Sequence, residues 1–160
     1  MIQPALGQYR FLKTYGEGLL AGLDPADAYT PVQPGGHHPA WILGHLTFSG
    51  LGAVQLLGGD ASGFEEAQAR FGIGSQPEAA PASDDFAAIR AGWNEAHARV
   101  ETAVSNTGAD RLAAPNPRER MAAAFPTIGD MVGFLLTGHE AVHLGQLSAW
   151  RRSRGADPLF

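Results

Sequence analysis

The sequence predicts an all-α protein, a four-helix bundle with long connections between its helices. Three observations predict it. Four segments carry apolar residues at helical spacing, Pro/Gly-rich stretches divide them, and no convincing alternation marks a strand. With 160 residues, 44% hydrophobic and 17% charged, the chain suits one domain spanning 1–160 that buries its core without disulfides.

The first helix is expected over about 4–23, where Tyr9, Leu12, Leu19 and Leu23 fall near one face. Asp24-Pro25 ends it, because a residue before proline avoids the α region. After the turn-rich "TPVQPGGHH", Pro39 opens the second helix, since its missing N–H would be unpaired there anyway. That helix runs to Gly58-Gly59 and places Trp41, His45, Phe48 and Gly52 on one stripe. A short helix is expected in "GFEEAQARFG", followed by a Gly/Pro/Ala-rich loop. Ser83 serves as N-cap of the third helix, with Phe86, Ile89, Trp93, Val100 and Val104 as its apolar face. An irregular connection over 105–126 leads to the fourth helix, expected over 127–152. Thr127 and Asp130 give it a capping-box start, and it stops near Gly155.

Composition narrows the partners. A net charge of −5 argues against nucleic acid, which needs a basic surface. The N-terminal stretch reads as neither signal peptide nor anchor, and no apolar run approaches the roughly 20 residues needed to span a bilayer. A cytoplasmic protein acting on a small molecule is the expectation. There are no cysteines, so any metal must be held by His, Asp or Glu.

The fourth helix carries the chemistry. Ile128, Val132, Leu135, His139, His143, Gln146 and Trp150 advance by three or four residues, the stripe that a regular helix turns inward. Burying polar groups without partners costs about 1–3 kcal/mol each, so two histidines and a glutamine there require a reason. Residues at i and i+4 lie roughly 5–6 Å apart at Cβ, close enough for two imidazoles to meet at one ion. His45, on the stripe of the second helix, offers a third nitrogen. A three-histidine shell of His45, His139 and His143 leaves a coordination position open, the arrangement of a catalytic rather than a structural site. An all-nitrogen set suits a divalent metal, Zn, Ni, Fe or Cu.

"HEAVH" also matches the H-E-x-x-H string of zinc peptidases. The extended form of that motif needs Gly and His where this chain has Gln146 and Ala149. Only 17 residues follow His143, with Asp157 their sole carboxylate, so a downstream glutamate ligand has no room. The peptidase reading therefore fails at its third ligand. Glu140 is left either flanking the metal as a proton acceptor or facing solvent or a neighbouring helix. Gln146 would orient a ligand or make a structural hydrogen bond. His37 and His38 are expected in an exposed loop near the pocket mouth, and His97 near the apolar face of the third helix. Tyr9 and Trp41 are core residues or stacking surfaces for a bound cofactor.

The string W-x-x-G-H at 41–45, with H-x-x-x-H-x-G-Q at 139–146, R-R-x-x-G at 151–155 and the connecting "RFGIGSQP", resembles the DinB/YfiT-like metalloenzyme superfamily over most of the chain. That resemblance implies a four-helix bundle, often a homodimer, binding a divalent metal through His45, His139 and His143. It also implies activation of a low-molecular-weight thiol of the bacillithiol or mycothiol type in a transferase reaction. Metal-assisted hydrolysis, or a binding bundle without turnover, are the alternatives.

Overall fold

A computed structural model describes residues 2–77 and 85–159. Four long helices form the bundle: α1 (Gln3–Leu20), α2 (Pro39–Leu57), α4 (Phe86–Asn106) and a final helix running from Ile128 to Ser153. Short helices α3 (Phe64–Phe71), α5 (Ala109–Ala113) and α6 (Glu119–Ala122) lie in the connections. The described residues include no strand, and one isolated bridge joins Pro115 to Thr127.

The first helix ends three residues earlier than its apolar spacing suggests. Gly22 turns left-handed at φ +74°, and Asp24 then caps a single 3-10 turn through Ala26 N–H. The predicted cap Ser83 lies outside the described residues, and α4 begins at Phe86. The connection expected to be irregular contains α5 and α6, pinned by Asn116. Its N–H donates to Pro126 O, its side-chain amide donates to Phe125 O, and its Oδ1 accepts from Arg118 N–H.

α2 is the centre of the fold and is enclosed on nearly every side, not along one stripe. His38 begins it, its Nδ1 accepting from Trp41 N–H at 3.1 Å, and Gly58 ends it left-handed at φ +82°. By length and composition this helix is apolar enough to cross a membrane, contrary to the expectation that no run approaches that length. In the bundle, however, 83% of its apolar window is inside the protein, as a core helix requires.

The last helix is not regular. It comprises α7 (Ile128–Phe134), a π turn (Leu135–His139) and α8 (Glu140–Ser153). Thr127 and Asp130 close the expected capping box at its start. The π turn accommodates one extra residue, which rotates everything after it by about one position, roughly 100°. The core stripe consequently moves from His139, His143 and Gln146 to Glu140, Leu144 and Leu147, all buried. His139 and His143 are half-buried at the edge of the core, and Gln146 is exposed.

Candidate metal centre

Two helices bring the histidines together. His45 stands on α2, His139 ends the π turn, and His143 follows one turn later on α8. One ring nitrogen from each lies within 4.8 Å of the others. Nε2 of His45 and Nε2 of His139 are 3.3 Å apart. Two nitrogens each about 2.05 Å from one tetrahedral ion would be separated by about 3.3 Å, so this pair already has ligand spacing.

The outer nitrogens determine which atoms face inward. Phe71 O, at the end of α3, accepts from His45 Nδ1–H at 2.6 Å. Gln146 Oε1 accepts from His143 Nδ1–H at 3.0 Å. Carbonyl oxygens can only accept, so both rings carry their proton on Nδ1 and present a bare Nε2. His139 Nδ1 is buried without a hydrogen-bond partner among the described residues. Burial, followed by the neighbouring His143, His45 and Arg118 charges, pushes the His139 pKa down to about 3. Burial and His45 lower His143 to about 4 against the opposing hydrogen bond from Gln146. His45 is lowered mainly by burial. All three are therefore neutral near pH 7, the protonation state a metal ligand needs. The donor set fits a divalent ion.

Aromatic rings support the cluster. Trp41, 4% exposed, stacks on His45 with centroids 4.7 Å apart, and its Nε1–H donates to Ser75 Oγ. His37 stacks on the same indole at 3.6 Å, so it does stand beside the site. His38 does not occupy an exposed loop: it is buried, and it caps α2. A cavity of about 410 Å³ opens beside His45 and His139, walled by Phe48, Phe134, Met121 and Met131.

Glu140 belongs elsewhere. It is 2% exposed, and its Oε1 accepts from Trp93 Nε1–H at 3.2 Å and His97 Nε2–H at 3.0 Å, both on α4. The π turn is the reason, since it turns position 140 toward the core. Tyr9 is likewise a core residue and not a cofactor platform: it stacks on His97 at 3.9 Å. Burial, reinforced by Glu140, raises its pKa well above the ordinary tyrosine value. His97 thus joins the two main apolar clusters, touching Tyr9 of one and Trp93 of the other.

Sequence reasoning missed Phe71, whose role depends on a backbone carbonyl, and Arg118, which sits in an apparently irregular loop. Comparison with known proteins gives one family match: the model of the DinB superfamily covers residues 11–147. No curated protein matches the chain.

Proposed function

The chain belongs to the DinB superfamily, and from that premise we propose that it is a divalent-metal-dependent enzyme, a transferase that works through a low-molecular-weight thiol of the bacillithiol or mycothiol type. The observation carrying this reading is the convergence of three neutral imidazoles, two with Nδ1–H already engaged by Phe71 O and Gln146 Oε1. His45, His139 and His143 would hold the ion, with Zn or Ni the best suited and Fe also compatible. When bound, such an ion supplies Lewis-acid chemistry, lowering the pKa of a thiol or water held at its open position.

The chain's own residues perform the remaining tasks. Phe71 and Gln146 fix the rotation of two rings, and Trp41 packs against the face of one. Phe48, Phe134, Met121 and Met131 give the neighbouring cavity an apolar wall that limits water and strengthens charge interactions within it. The same reading includes a cytoplasmic homodimer, for which sedimentation velocity should return twice the chain mass of 16.8 kDa.

A second reading, a metal- or ligand-binding bundle without turnover, has one observation in its favour. Glu140, the nearest carboxylate in sequence, is engaged by His97 and Trp93 and supplies no base to the cavity. Metal-assisted hydrolysis would need a different base, and Glu119, exposed on the cavity wall, is a carboxylate placed there. Metal analysis of purified protein, followed by assay with bacillithiol or mycothiol and monochlorobimane, separates these readings. His143→Ala should abolish stoichiometric metal binding while leaving the helical content intact. Unchanged metal content would sink the assignment, and a metal-loaded protein inert toward thiols and esters would favour the binding bundle.

A further inference from the structure

Of the two arginines lining the cavity beside the histidines, one is drawn inward with its charge not neutralised among the described residues. This is Arg118, which lies between the apolar walls and is half-buried. Its backbone N–H is held by Asn116 Oδ1, but its guanidinium makes no hydrogen bond or ion pair among the described residues. Glu119 and Arg120 are exposed on the same wall, and Glu119 is not paired with it. Burial lowers the pKa of Arg118, and its charge is felt at His139. A partly desolvated guanidinium facing an apolar cavity is an unused fork of donors, shaped for an oxyanion.

Its place is made by a missing side chain. A Cβ on Gly52 would stand 2.5 Å from Arg118 Nη2 and 3.5 Å from Cζ, so the guanidinium lies directly on the α2 backbone. Gly52 is seven residues beyond His45, about 10 Å along the helix axis. Asn116, buried and bonded to Phe125 O and Arg118 N–H, holds the loop that delivers the arginine there. Between the two ends the wall is formed by Phe48, Phe134, Met121 and Met131, and the mouth is flanked by Ile73, 89% exposed.

We infer that Arg118 is the substrate anchor, and that the substrate is an amphipathic oxyanion: a carboxylate or phosphate head on Arg118, an apolar body across the cavity, and the reacting end at the histidine cluster. A volume of about 410 Å³ accommodates a body of this kind. The inference rests on reading the histidines as the reacting end, but the anchor can be tested without any metal.

The test is calorimetric titration of the full chain, with and without one equivalent of Zn(II). The probes are 4-phenylbutyrate, 3-phenylpropyl phosphate and the neutral 4-phenylbutyramide. At least one anion should bind roughly tenfold or more tighter than the amide in both forms, as expected for a charge-assisted contact. The tighter of the two identifies the head group. Arg118→Gln should remove the preference while leaving zinc stoichiometry unchanged. Gly52→Ala should also remove it by displacing the guanidinium, with the helical fold retained. An amide that binds as well as both anions, or an anion preference that survives Arg118→Gln in the zinc-free protein, overturns the anchor. Absence of zinc binding together with an Arg118-dependent preference would refute the metal reading and leave the anchor standing.

Discussion

Gly44 and Gly52 lie eight residues apart on α2, and replacing each by alanine isolates what packing contributes at the site. Both substitutions gain the same helix propensity, about 1 kcal/mol. Their surroundings differ. At Gly44 the new Cβ would stand 2.5–2.6 Å from Cδ1, Cγ and Cδ2 of Phe71, a buried ring that cannot swing away without moving the end of α3. Such overpacking costs about 1–3 kcal/mol. At Gly52 it meets the far end of Arg118, which yields by changing rotamer. Propensity cancels between the variants, so Gly44→Ala should be less stable than Gly52→Ala by about 1–3 kcal/mol. Gly52→Ala itself should match or exceed the native protein. Urea denaturation of the metal-free proteins measures this difference. Displacing Phe71 also disturbs the carbonyl that accepts from His45, so Gly44→Ala should weaken metal affinity by about tenfold or more, as read by competition with a chromogenic chelator. Two variants of equal stability, or native affinity in Gly44→Ala, would refute the proposed coupling from α2 through Phe71 to His45.

Other expectations follow from the same contacts. Glu140→Ala removes the acceptor for two buried donors at about 1–3 kcal/mol each and should lower thermal stability markedly, with Glu140→Gln milder. In Glu140→Gln the metal stoichiometry should stay native; loss of metal at unchanged stability would place the carboxylate back at the site. For the metal-free protein, His139 and His143 titrate at about 3 and about 4 when folded, against about 6.5 when unfolded. The unfolded state thus takes up protons first, and stability is retained above about pH 6.5 and falls as the pH drops toward 4. Each histidine contributes a slope of at most about 1.4 kcal/mol per pH unit, reduced by solvent screening of these half-buried rings. Denaturation midpoints from pH 7.5 to 4.5 test this, and His139→Gln should flatten the curve. A flat native curve would contradict the depressed values. Gln146→Ala should weaken metal binding less than His143→Ala, because it frees a ring but removes no ligand.

The bundle and the histidine trio were legible because both depend on periodicity. Trp41, His45 and the apolar partners of α2 repeat at helical spacing, and so do His139 and His143. What periodicity hid was a change of period. A regular helix over 127–152 places Gln146 inside and leaves Glu140 open, whereas the π turn reverses both. The alternative stripe Leu136, Glu140, Leu144 and Leu147 was present in the sequence, interrupted by a carboxylate that argues against burial until His97 and Trp93 are known to meet it. His38 could have been read as a cap, since it directly precedes a proline-initiated helix. Phe71 and Arg118 could not: one acts through a carbonyl, and the other through a loop fixed by Asn116 contacts that have no sequence period.

The π turn has a consequence for how this protein can change. Residues 139 and 140 are neighbours in the chain but serve opposite masters, one the cavity and one the interior. The carboxylate at 140 cannot be turned to the cavity without dismantling the packing among α1, α4 and α8. Much of the cavity wall on α2 and the last helix is under the same double obligation. Ile73, Glu119 and Arg120, exposed in the connecting segments, have no such duty to the core. Diversification of chemistry on this scaffold is thereby channelled into its connecting segments, while the helices keep the imidazoles in place.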